Sequence, residues 1–351
     1  MVISATGNFH WIAPGLRFTI RLSVNRAITE TTMPQIINRT TLPNYYATDD
    51  PSLAEAADSA RIDMRMAHGN KVSLAVAVCQ PGYHPAPQIH ATEQLNYVAE
   101  GEIWIYIDGD AYHLQAGDAI RVPKMKPHWM WNRSEHPCTF YESNCPPLAG
   151  DAQGAGALFE GDVPAQHYPH VVWLSDKYAK EVEDRDAAAV EGPLLARADS
   201  LATSVHGGAI GAAAAGKLTS KCIHGLEHNM TLARRKGGYH SAPHIHDAEQ
   251  LHTPIKGDID IFTSDFGFAC REGDFNIVPS NTPHWAEVSG DEDNILLQAH
   301  SPVLGSAANR KALLTDEERG LPIFTVFNMT PWREQDIMNV EQVHRKNMQR
   351  S

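Results

Sequence analysis

The sequence is a tandem duplication, and this limits its folds more than any other feature. The run from Gly82 through His84, Pro87, Gln88 and Ile89 to His90 recurs as Gly238 through His240, Pro243, His244 and Ile245 to His246, 156 positions later. One offset carries through Glu93-Gln94-Leu95 and Glu249-Gln250-Leu251, Gly101 and Gly257, and Gly117-Asp118 and Gly273-Asp274. It still holds at Pro127-His128-Trp129 and Pro283-His284-Trp285, and at Pro146 and Leu148 against Pro302 and Leu304. Chance does not keep one register over more than sixty residues. The chain therefore contains two copies of one unit. A length of 351 residues suits two small cores with connecting segments.

Each unit reads as antiparallel β. Ile103, Ile105 and Ile107, and likewise Ile259 and Ile261, put apolar side chains on one face at period two. Asp108-Gly109-Asp110 is a hairpin signal. The Gly117-Asp118 and Gly273-Asp274 pairs mark tight turns before short strands that end in Val122-Pro123 and Val278-Pro279. Many short strands with regular turns predict a barrel or jelly roll, which removes sheet edges by closure. The expected class is all-β dominated: two tandem jelly-roll β-barrels with short flanking helices. Helical spacing is expected between Asp176 and Ala196, a flexible stretch at Ala212–Gly216, a helix at Asp316–Arg319 and an exposed helix within 334–350. These elements brace the barrels or a dimer interface.

Composition excludes some functions. A formal charge of −13 does not suit a nucleic-acid partner, which needs clustered Lys and Arg. No stretch approaches the roughly 18 apolar residues of a membrane span. Five scattered cysteines without a C-x-x-C pair read as free thiols in a reducing, cytoplasmic setting. Arg17, Arg21 and Arg26, with no acidic residue before Glu30, faintly resemble a transit peptide. The alternative reading is a disordered or non-native extension over 1–40, which leaves Met1 or Met33 as the natural start.

The residues able to do chemistry lie in the repeat. His244 and His246 are two apart and so share one face of a strand. Gln250 follows on the adjoining stretch, and His284 follows a tight turn later. Three imidazoles and an oxygen donor can close around one divalent first-row metal and leave positions open. Neutral imidazole suits iron, zinc, nickel or copper alike. In the first unit Gln88 stands where His244 stands, leaving Gln88, His90, Gln94 and His128 as a weaker site or a structural one. His252 is a pocket acid or base, or else points outward. Trp285, like Trp129, packs the barrel and shapes the pocket mouth. His84 and His240 either support the ligands or pack at strand edges.

Gly238–Gly257 reads G-x5-H-x-H-x3-Q-x6-G, which resembles the first cupin motif with glutamine in place of glutamate. Gly273 through Pro279 to His284 resembles the second cupin motif. The resemblance implies two tandem cupin barrels, over 41–150 and 216–305, with a linker at 151–215 and a helical tail at 306–351. It also implies metal ligands at His244, His246, Gln250 and His284, where Gln250 is either a weak ligand or a pocket hydrogen-bonder. Bicupins of this length resemble ring-cleaving dioxygenases. The leading expectation is therefore an Fe(II)-dependent dioxygenase of a small hydroxylated aromatic acid, using dioxygen, in a homo-oligomer. Zinc, nickel or manganese remain alternatives to iron. Arg271 or Arg121 are the candidates to meet a substrate carboxylate. The alternative function is a non-oxidative isomerase, lyase or decarboxylase, to which the glutamine points. A binding bicupin without turnover is a third.

Overall fold

A computed structural model describes residues 6–13, 16–23, 33–148, 171–183, 189–201, 203–205, 211–304, 327–329 and 334–350. Each copy of the repeat forms two facing antiparallel sheets. In the first, Ile62–His68, Ser73–Cys79, Cys138–Cys145, Glu93–Glu100 and Ala119–Val122 lie side by side in that order. Facing them are Gln88–His90, His128–Trp131, Glu102–Ile107 and Asp110–Gln115. The second copy repeats both orders with Leu218–His224, Asn229–Arg235, Asn294–Ser301, Glu249–Lys256 and Asp274–Val278. Its facing sheet holds His244–His246, His284–Val288, Ile259–Thr263 and Gly267–Cys270.

Strand alternation divides the apolar residues between two kinds of core. In the second copy Leu218, Ala233, Leu296, Ile259, Ile261, Phe268 and Val278 fill the barrel. The residues between them in sequence, such as Ile223, Leu251 and Leu297, point the other way and pack with Leu74, Val76, Leu95 and Tyr141 of the first copy. The two barrels thus share a buried apolar interface.

The barrels also exchange strands, which moves the expected domain boundaries. Gln35–Asn38 lies within the 1–40 segment expected to be disordered. It pairs with Asp274–Val278, joining Asn38 to Asp274 and Ile36 to Asn276. Leu195–Ala196, expected in the linker, pairs with Ala119–Val122 of the first barrel. Each barrel is closed by the segment that precedes the other. The apolar residues of a short edge strand are too few to reveal its partner. Earlier still, Thr6–Ala13 and Leu16–Ser23 form a hairpin rather than a structureless extension.

The connecting segments duplicate as well. Val171–Trp173 pairs with Gln88–His90, and Phe327–Met329 pairs with His244–His246 at the same offset. A helix follows each, Asp176–Glu183 and Glu334–Lys346. Glu183 binds His84 and Trp129, each at 2.8 Å, and Glu341 binds His240 and Trp285, each at 2.7 Å. The repeated histidines and tryptophans therefore anchor a helix outside each barrel. Ala212–Ala214 forms a short 3-10 turn with Ala214 buried, not a flexible stretch. The helix expected at Asp316–Arg319 lies outside the described residues. Among the described residues no helix is long and apolar enough to cross a membrane.

Candidate metal centre

His244 and His284 face each other across adjacent strands, and His246 stands two residues along the first. One ring nitrogen from each of the three lies within 4.8 Å of the others. Their tautomers are set by the backbone. His244 Nδ1 donates to Ala242 O at 3.0 Å, His246 Nδ1 to Ala248 O at 2.8 Å, and His284 Nδ1 to Thr282 O at 2.8 Å. A carbonyl oxygen can only accept, so each proton sits on Nδ1 and each lone pair on Nε2. Burial drives the His244 pKa down to about 4, with the charges of His246 and Arg235 adding to the shift. His284 is pushed far below the ordinary histidine range by burial and then by its two neighbours, and His246 is lowered by burial. All three are neutral at physiological pH, the state that binds a metal.

The residues present fit a divalent ion. His284 Nε2 and Gln250 Oε1 are buried and have no hydrogen-bond partner among the described residues. Gln250 sits on the interior face beside His300 and Val278. A buried lone pair without a donor is costly, and a cation would relieve both.

Of the pocket and outward positions open to His252, the strand gives it the interior face that Gln250 also occupies. His252 is buried, and its Nδ1 bonds Asn276 Oδ1 at 3.0 Å. The amide oxygen accepts, so His252 carries its proton on Nδ1 and its lone pair on Nε2. Burial lowers its pKa to about 3. The other pocket candidates lie elsewhere. Arg271 is 45% exposed and pairs with Asp258 at 3.2 Å and Asp260 at 3.5 Å on the outer surface. Arg121 is buried against Glu93 at 2.6 Å, at the barrel interface. Trp285 is fully buried on the helix side and stacks on Phe262, because it neighbours His284 and so points the opposite way.

Two interior residues escaped the sequence reading: His300 and Arg235. His300 lies opposite Gln250 and Asn229, and its Nδ1 meets the Asn229 amide at 3.3 Å. Arg235 ends an alternating row with Asn229, Thr231 and Ala233, so it points into the barrel. The adjacent pair Arg234-Arg235 was the available signal, since alternation must turn one of two consecutive arginines inward.

The first barrel is arranged differently. His90 Nε2 lies 2.9 Å from Gln94 Oε1, while its Nδ1 meets Thr92 O at 3.0 Å and Thr92 Oγ1 at 2.8 Å. The Gln94 amide in turn donates to Glu142 at 3.0 Å and Asn96 at 3.1 Å, which fixes its orientation. Asn144 donates to the other Glu142 oxygen at 2.8 Å. Both His90 ring nitrogens and the Gln94 oxygen are thus engaged within the protein, whereas His128 Nε2 and Gln88 Oε1 are buried with no partner among the described residues. This network favours a structural first barrel.

Comparison with known proteins follows the geometry. The cupin domain family matches residues 75–143, the heart of the first barrel. No curated protein matches by sequence. Among solved structures, oxalate decarboxylase from Lactobacillus farciminis superposes with a TM-score of 0.56 at 12% identity, over 77% of this chain and 87% of that one. Oxalate decarboxylase from Bacillus subtilis gives 0.54 at 13% identity, over 77% of each chain. At these identities the likeness is one of fold. The matched cupin domain lies in the first barrel, and the duplicated strand order and the two-barrel neighbours give the whole chain a bicupin-like fold.

Proposed function

We propose that the second barrel is the active one and that it is a mononuclear metalloenzyme site acting on a small molecule without net oxidation. The observation that carries this reading is the set of three histidine ring nitrogens within 4.8 Å of one another, beside a fourth neutral imidazole, His252. His244, His246 and His284 would hold the ion, with Gln250 as a further oxygen donor. When bound, a divalent ion supplies Lewis-acid polarisation of a substrate oxygen. His252, held by Asn276, has its Nε2 lone pair available to accept a hydrogen bond from a bound substrate hydroxyl. The packed second barrel excludes water, which strengthens both effects.

One consideration favours this over ring-opening oxygenation. A flat aromatic acid suits an apolar slot beside the ion, whereas the polar residues His252, His300 and Asn276 are buried on the strands next to Gln250. The oxygenase remains the second reading, because three neutral imidazoles equally suit Fe(II). The same two-barrel frame carries proteins named oxalate decarboxylase, so non-oxidative chemistry is compatible with it. Incubating metal-loaded protein with small hydroxy, keto and aromatic acids under an oxygen electrode tests the choice. Substrate loss without oxygen uptake is expected. Stoichiometric oxygen consumption would overturn it in favour of the dioxygenase.

A further inference from the structure

We propose that the second barrel binds an organic carboxylate and that Arg235, which reaches the site from inside the barrel wall, is the group that holds it. This rests on the second barrel being the active one.

Arg235 is only 5% exposed, and its Nε and Nη1 have no hydrogen-bond partner among the described residues. Its guanidinium carbon lies 5.4 Å from the centre of the Tyr239 ring, itself part of the barrel core. An aromatic face offsets only part of a buried charge. The neighbouring Arg234 shows the ordinary solution, an exposed pair with Asp293 at 2.6 Å. The buried acids of this half are used elsewhere. Glu249 takes backbone amides of the first barrel, Asp274 accepts from the Arg271 amide, and Glu341 holds His240 and Trp285. Arg235 shares the interior strand face of Thr231, which pairs with Gln298, itself the partner of His252.

The duplication supplies an internal comparison. At the position of Arg235 the first barrel has Cys79, and at the position of Gln298 it has Glu142. One barrel has gained a buried carboxylate and no cation, the other a buried cation and no carboxylate. A closed interior with an arginine, a divalent ion and only neutral donors is strongly positive. It calls for an anion, and the planar fork of a guanidinium fits a carboxylate with two parallel bonds.

Calorimetric titration of the full chain with malonate, malonamide and inorganic phosphate tests this, with Arg235→Met and Arg235→Lys alongside. Malonate should bind and malonamide should not. Arg235→Met should weaken malonate by at least about tenfold, as expected for the loss of a charge-assisted pair, and Arg235→Lys should restore part of it. Without anion, Arg235→Met should melt above the wild type, since it removes an unpaired buried charge. A purely structural arginine would give the opposite sign. Equal binding of malonate and malonamide would overturn the proposal, as would unchanged affinity in Arg235→Met. Phosphate binding as tightly as malonate would overturn the carboxylate assignment. Zinc stoichiometry measured on the same samples separates the two readings. A wild type that takes malonate but no zinc contradicts the metal centre alone, and one that takes zinc but no malonate contradicts this proposal alone.

Discussion

Cys145 Sγ lies 3.2 Å from Ser301 Oγ, and the two residues occupy the same position in the two copies of the repeat. Equivalent residues can touch only near the axis that relates their copies, so the barrels meet about an approximate twofold. Reciprocal contacts follow from it. Glu249 accepts from the amides of Asn70, Lys71 and Val72 at 2.9, 2.6 and 3.3 Å. Its counterpart Glu93 accepts from Leu226 and Glu227 at 2.8 and 2.9 Å. Glycine opens each turn for the incoming carboxylate: a Cβ on Gly69 would lie 2.5 Å from Glu249 Oε2, and Gly225 is as closely approached by Glu93.

The two carboxylates should differ in energetic weight. Glu93 also pairs with Arg121 at 2.6 Å and His228 at 3.0 Å. Burial pushes its pKa up, but the hydrogen bond and charge of His228 and the charge of Arg121 outweigh this and hold it low. Glu93→Ala would strand a buried guanidinium and is expected to cost about 3–5 kcal/mol. Glu249→Ala strands only backbone amides, at about 1–3 kcal/mol. Urea unfolding of both variants checks the order. Equal losses would mean that the Arg121 pair carries no weight.

Glu142 should make the first barrel sensitive to alkali. Burial raises its pKa to about 7, against the lowering effect of the Asn144 hydrogen bond. The folded state therefore binds the proton more tightly than the unfolded chain. Stability from this group is full below the ordinary carboxylate pKa and is lost as pH rises toward 7. Glu142→Gln, which copies Gln298 of the second barrel, should raise the melting temperature at pH 8 and change it little at pH 5. A uniform shift at both values would contradict the buried-carboxylate account.

The second barrel should fail in acid instead. Its histidines have depressed pKa values, so their contribution to stability is present above 6.5 and disappears as pH falls toward 4. Metal binding should be nearly constant from pH 8 to 6 and decline only toward pH 4, where protons compete for His244. Half-loss of zinc near pH 6.5, measured by a chelating dye, would mean that these imidazoles are solvated.

The duplication, the β class and the histidine cluster were legible because they depend on local spacing: period two puts His244 and His246 on one face, and the offset finds His284. The strand exchange was not, because Gln35–Asn38 and Leu195–Ala196 carry no mark of a partner more than seventy residues away. The side taken by Trp285 follows from its place next to His284, but the helix whose Glu341 takes its indole N–H is a contact that no local pattern encodes. Glu93 and Glu249 were visible only as markers of register, since their partners lie in the other barrel.

The most direct measurement is elemental metal content per chain for wild type, His284→Ala and His90→Ala, purified without chelator or oxygen. The account predicts about one equivalent in wild type and in His90→Ala, and none in His284→Ala. Two equivalents in wild type, or loss of metal in His90→Ala with retention in His284→Ala, would contradict the assignment of the metal centre to the second barrel.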